Sequence, residues 1–167
     1  MAEKQPDVRI AKSLMWLTYI TAGVGLGIAG GASSREDGLV VVAWIVGLVG
    51  VISFFRHSVF HRADAARMGW EGGHAGFQIE VGFANLAMGL AAIASVIWAW
   101  GPAAQGAVVL AYGLYILQSA IIHTANVIRG SEHRRHDVVV AALSYALSIA
   151  FAVFAAIGMG AAGVNPF

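Results

Sequence analysis

Apolar residues along this chain gather in uninterrupted runs of about 18 or more, long enough to span ~30 Å of hydrocarbon as helix. Five runs are read, at approximately 13–32, 38–55, 77–100, 103–128 and 138–162. Lipid offers no partner for open backbone groups, so helices are the form expected for spans this long and continuous. The predicted fold is therefore all-α: a single transmembrane helical domain over 1–167 with five spans. The first run exceeds the h-region of about 7–15 residues usual for a cleavable signal, and no small-residue cleavage site leads to a soluble domain. It is read as a span.

Within the runs the polar positions fall on narrow faces, taking about 100° per helical residue. On the fourth span Gln105, Tyr112, Tyr115, Ser119, His123 and Asn126 share one arc, with Gln118 outside it. On the second span Gly50, Ser53, His57, His61 and Asp64 align if the helix runs past Phe55 as a straight rod to about residue 68. "RHSVFHRADAARM" has no proline or glycine and permits this, and "GWEGGHAG" reads as the turn that ends it. The third span carries Gln78, Gly82, Asn85 and Gly89 on one face, with Glu80 about 140° from Asn85. Asp137, Ser144 and Ser148 align on the fifth. Gly23, Gly27 and Gly31 on the first form two small-xxx-small repeats, expected to let another helix approach closely.

Composition agrees with a membrane protein: 59% of residues are hydrophobic, mean hydropathy is +0.74 and only 11% are charged. A soluble domain carries roughly 25% charge. Net charge is +1, but nine of the ten basic residues fall on one side of a five-span layout, Arg35 being the exception. By the positive-inside rule that side is the cytoplasm, with the N-terminus inside and the C-terminus outside. A bacterial or archaeal cytoplasmic membrane is the expected location.

Cysteine is absent, which removes thiolate-bound haem, iron–sulfur clusters and disulfides. Lysine occurs only at 4 and 12, outside the spans, leaving no partner for a retinal-type Schiff base. Neither a nucleophile elbow, a phosphate-binding glycine loop nor a nucleic-acid-like basic patch is present, so no nucleic-acid partner is expected. Histidine, carboxylate and amide chemistry remains.

The stretch 54–80 concentrates it, holding three of six histidines, three arginines and three of nine acids. All six histidines lie at or beyond the cytoplasmic end of a span. His57 and His61, four apart, stack on one helix face, a spacing that suits imidazoles on a metal. The expected metal set is His57, His61, Asp64, Glu80, His123, His133 and His136, with Asp137 adjacent. Ser53, Asn85, Ser119 and Asn126 would orient it, and Glu80 would be a ligand or the catalytic proton acceptor. Imidazole with carboxylate and no sulfur suits iron, zinc, manganese or copper(II), of which iron, zinc or copper is expected. Such a site would activate oxygen or water for an apolar or lipid substrate, as a metal-dependent oxidoreductase or hydrolase.

A second reading is a b-type haem with His57 and His123 as axial ligands and Gly50 making room for the macrocycle. In a third, the polar stripes are interhelical hydrogen bonds in a scaffold or accessory subunit, a homo-oligomer or part of a larger membrane complex. Membrane lipids are partners in every case. "HSVFH" and "HRRH" resemble the boxes of the histidine-box membrane desaturases and hydroxylases. Those carry doubled histidines, about eight in all, and this chain has six with none adjacent, so it is not assigned there.

"FFRHSVFHRADAARMGW", followed by "FQIEVGFANLAMGL", resembles a family of small bacterial and archaeal multi-span membrane proteins of unassigned function. The resemblance covers the second and third spans and their loop. It implies that Arg56, His57, His61, Arg62, Gln78, Glu80 and Asn85 belong to the family's characteristic part.

Overall fold

The computed structural model describes residues 6–68 and 75–163. Each of the five apolar runs is a helix long and apolar enough to cross a membrane. These are α1 (Val8–Gly30), α2 (Arg35–Phe54), α4 (Ala75–Ile97), α5 (Pro102–Ile128) and α6 (Arg134–Ala161), with a short α3 (His61–Met68) after α2. No strand occurs among the described residues. The turn expected at "GWEGGHAG" lies largely outside the described residues, as does His74.

Local chemistry sets the helix ends. Asp7 caps α1 by accepting from the Arg9 N–H at 2.9 Å. Ser34 accepts from the Asp37 N–H at 3.0 Å, and Glu36 and Asp37 place negative charge at the positive end of the α2 dipole. The turn into α5 passes through Gly101, whose φ of +86° suits glycine, and Pro102 then starts the helix with a fixed φ.

α2 is the central helix, touching α1, α4, α5 and α6. Its Val42, Val46 and Val49 are core residues with essentially no exposure. It crosses α4 backbone to backbone: a Cβ on Gly50 would sit 2.5 Å from the Asn85 carbonyl oxygen and 2.8 Å from Gly89 Cα. In lipid, where no hydrophobic force presses helices together, such close approach supplies the dispersion contacts that hold them. α1 reaches α2 differently from the expectation. Gly23 and Gly27 have nothing within 4 Å of a built Cβ, and the buried small residues are Ala22, Gly25 and Ala29, Gly25 facing Ile45. α1 is rotated so that its small-xxx-small repeat faces outward.

α5 and α6 form an antiparallel hairpin, Gly106 against Met159 and Gly113 against Phe151. The hairpin closes on α2 at one end, where Gly158 meets Leu39 and Gly38 meets Phe154. At the other end, where α1 and α6 begin and α2 and α5 finish, the same helices leave a cavity. Arg9, Lys12, Arg56, Arg62, Arg67, Arg129, Arg134 and Arg135 lie at this end, and Arg35 alone of the described basic residues lies at the other.

The straight rod predicted through residue 68 does not form. After Phe54 the backbone widens into a π-helical turn, Phe55–Val59, closed by the Phe60 N–H donating to the Phe55 carbonyl at 2.9 Å. Phe60 then leaves helical geometry, and α3 packs chiefly on α1. Helical phase counted past Phe55 is therefore lost, and π insertions of this kind concentrate at functional sites.

Candidate functional site

The cavity occupies about 290 Å³, near the low end of the range for small-molecule sites. Its deepest polar group is an amide held by two phenols. Tyr112 Oη donates to Asn85 Oδ1 at 2.9 Å, while Asn85 Nδ2 donates to the Val81 carbonyl at 2.8 Å and to Tyr115 Oη at 3.0 Å. Gly82 and Gly89 bring α4 close to the π turn and α2 respectively, which seats Asn85, one helical face along, between α2 and α5. Val49, Ile116 and Leu147 supply apolar wall around this floor, and Ser53, Ser119 and Ser144 scatter hydroxyls over it.

Toward the mouth, the π turn and α3 build a compact charged knot. Asp64 has no exposure, and Arg67 donates to its Oδ1 through Nε at 3.0 Å and Nη2 at 2.8 Å. His57 Nδ1 lies 3.0 Å from Asp64 Oδ2, off the line of a well-formed hydrogen bond, and Arg56 Nε is 3.9 Å from the same oxygen. A straight helix would separate residues 57 and 64 by about 10.5 Å along its axis. The break at Phe60 is what folds Asp64 back. Burial alone would raise the Asp64 carboxyl, but His57 and the Arg56 and Arg67 charges outweigh it and hold the pKa down to about 2. Arg56 Nη2 donates to His57 Nε2, so both ring nitrogens of His57 face protein groups. Arg67 Nη1 spans to the other wall, 3.3 Å from His136 Nε2 and 3.3 Å from Met15 Sδ.

α5 and α6 contribute a second pair. His123 Nδ1 lies 2.6 Å from Asp137 Oδ1, and Asp137 is only 4% exposed in the first turn of α6, where the helix dipole favours a carboxylate. Among the described residues none hydrogen-bonds His123 Nε2, and the His136 ring stands edge-on 5.9 Å away. Such a histidine, fixed through one nitrogen and open at the other, has the form of a general acid or base.

The expected site residues are only partly gathered here. His57, His123, His133, His136, Ser53, Asn85, Ser119 and Asn126 line the cavity. Asp64 lies behind the wall, engaged by Arg67. His61 does not reach the cavity: the π turn rotates it away, and its Nδ1 lies 2.9 Å from the Ser58 carbonyl oxygen. Glu80 is on the exposed face of α4, because the 140° between it and Asn85 allows only one of them to face inward. Gly50, expected to make room for a macrocycle, is filled by the backbone of α4. Among the described residues no three His, Asp or Glu side chains come together in a group that could hold a metal ion.

Three residues acquire a place that the sequence reading did not give them. Arg56 and Arg67 were expected to set topology and Gln78 to share a polar face, with Arg56 and Gln78 also in the stretch that carries the family resemblance, but none was expected at the site. All three line the cavity, and the available signal was their proximity in sequence to His57, Asp64 and Asn85.

Fold and site together define a multi-pass helical membrane protein with a polar cavity opening toward its basic end. The chain belongs to a family of unknown function (DUF6790), whose model matches residues 36–162, from the start of α2 to the end of α6. That is more of the chain than the two spans on which the resemblance rested. Neither the curated proteins nor the solved structures provide a match.

Proposed function

We propose that the protein binds a small amphipathic molecule in the cavity, within the membrane and with the basic end toward the cytoplasm, and that His123 exchanges a proton with it. The observation that carries this is the His123–Asp137 pair, whose open Nε2 belongs to a cavity wall that is apolar below and charged above. Asp137 orients the ring and stabilises it when protonated, and Ser119 and Asn126 on the same α5 face can anchor a bound polar group. A catalytic metal at this place would need histidines other than His57, whose nitrogens are against Arg56 and Asp64. His123, His133 and His136, which line the cavity without forming a three-ligand group, would have to draw together to hold it.

Native mass spectrometry of protein extracted from its membrane in a mild detergent tests the reading. The wild type should carry a bound small molecule, and Ser119→Trp, which fills the cavity, should lose it while keeping its melting temperature. Wild-type protein that carries none, and takes up none from added membrane extract, would overturn the reading. Elemental analysis of the same sample asks separately whether iron, zinc or copper is present in stoichiometric amount.

A second role, as a subunit of a larger assembly, has one observation in its favour: the outward small-residue face of α1 at Gly23 and Gly27. Crosslinking between cysteines placed at these positions would register a neighbouring copy.

A further inference from the structure

The cavity wall contains hydrogen-bond donors that the protein does not satisfy with oxygen. Gln78 is 4% exposed, lines the cavity, and its Nε2 has no partner. Arg56 Nε is likewise buried and without a hydrogen bond. Arg67 Nη1 has only a thioether and an imidazole nitrogen, both at 3.3 Å. A thioether is a weak acceptor, so a guanidinium N–H left against one retains much of its capacity for an oxyanion. Unpartnered buried donors are costly, and two of them, Gln78 Nε2 and Arg56 Nε, belong to residues of one cavity wall, with the weakly bonded Arg67 Nη1 beside them.

Charge narrows the class. Among the described residues Arg56 and Arg67 share the one carboxylate of Asp64, which leaves one positive charge of this pair uncompensated there. Across the cavity Asp137 is already paired with His123, and its second oxygen would repel a multiply charged guest. One net positive charge, with the Asp137 carboxylate across the cavity, fits a monoanion better than a phosphate dianion. Beyond the charged rim the wall becomes apolar at Val49, Ile116 and Leu147, floored by the Asn85–tyrosine cluster. At about 290 Å³ the cavity is near the low end for small-molecule sites, too small to enclose a two-chain phospholipid.

Resting on the reading of the cavity as a binding site, we propose that its ligand is a single-chain amphiphile with a carboxylate head. The head accepts hydrogen bonds from Gln78, Arg56 and Arg67, and the chain lies against the apolar floor.

Equilibrium binding of radiolabelled decanoate to the protein in nanodiscs, at pH 7, tests this. Decanoate should bind saturably at one site per chain. Decanol should displace it at least tenfold less effectively, and inorganic phosphate not at all. Gln78→Leu should weaken decanoate about tenfold, the effect of one hydrogen bond to a charged group, with its melting temperature kept. Equal displacement by decanol would overturn the carboxylate head but leave the cavity reading standing. Displacement by phosphate would make the site one for free anions and overturn the amphiphile. No saturable decanoate binding, in protein whose native mass spectrum still shows a guest lost in Ser119→Trp, would overturn the ligand class alone. If that guest is also absent, both readings fall.

Discussion

His123 and Asp137 approach to 2.6 Å across the α5–α6 hairpin, fourteen residues apart in sequence. Among the described residues His123 is the closest partner of the Asp137 carboxylate, whose Oδ2 is buried without a well-formed hydrogen bond and whose charge Ser131 also helps to hold. Removing the imidazole therefore strands a buried carboxylate. His123→Ala should cost about 3–5 kcal/mol, the usual penalty for breaking one side of a buried pair. The double variant His123→Ala/Asp137→Ala should recover part of that loss. Thermal unfolding in detergent of the two singles and the double gives the coupling, and an additive double would remove the pair as a structural unit.

Among the described residues Asp64 is the one carboxylate against Arg56 and Arg67, and its pH dependence follows from its depressed pKa of about 2. A carboxyl lower in the folded than in the unfolded state stabilises above the unfolded value, near 3.9, and loses this contribution as pH falls through the folded value. The full contribution, on the order of 2 kcal/mol, should thus be present from about pH 5 upward and disappear between about pH 4 and 2. Asp64→Asn should lower the melting temperature at pH 7, and the gap between wild type and variant should narrow only below pH 4. A gap that closes between pH 5 and 7 would point to the histidines instead.

Glycine substitutions should separate helix contacts from open faces. Gly50→Ala drives a methyl into the backbone of α4, which cannot move aside as a side chain can, so α2 and α4 must part. The expected cost is about 1–3 kcal/mol, with loss of cavity binding because Asn85 shifts. Gly23→Ala and Gly27→Ala meet nothing within 4 Å and should be neutral or stabilising by up to about 1 kcal/mol through helix propensity. Destabilisation by the latter pair in a monomer would place a neighbour on that face.

The floor of the cavity predicts a graded series. Asn85→Leu leaves both tyrosine hydroxyls without their amide partner, Tyr112→Phe leaves Asn85 Oδ1 alone, and Tyr115→Phe leaves the Nδ2 bond to Val81 intact. Stability should fall in that order, with about 0.6–2 kcal/mol for each buried bond lost. An inverted order would mean that the amide is held chiefly by its own helix.

The sequence by itself determined what depends on local chemistry and on lipid. Long apolar runs in a medium without hydrogen-bond partners have one outcome, so the five helices were legible to within a few residues. So were the faces that turn inward, because a polar arc on a regular helix keeps its phase: Gln78, Gly82, Asn85 and Gly89 are all buried, as are Asp137, Ser144 and Ser148. Glu80 was visible as a rival of Asn85 by the same arithmetic, and only packing against α2 decided between them.

What lay beyond the sequence were the points where phase is lost or two distant faces meet. The π turn at Phe55–Val59 shifts every residue after it, which turns His61 away and brings Asp64 to His57. No local propensity in "FRHSV" announces it. Whether Arg56 and Arg67 sit in solvent or in a cavity wall depends on α3 lying against α1 and reaching α6. The pairing of His123 with Asp137 rather than with His57 depends on α5 and α6 packing as a hairpin while α2 stands apart from them at this end. Periodicity carries information along one helix. The distance between helices is set by which small residues meet, and that is a property of the assembled bundle.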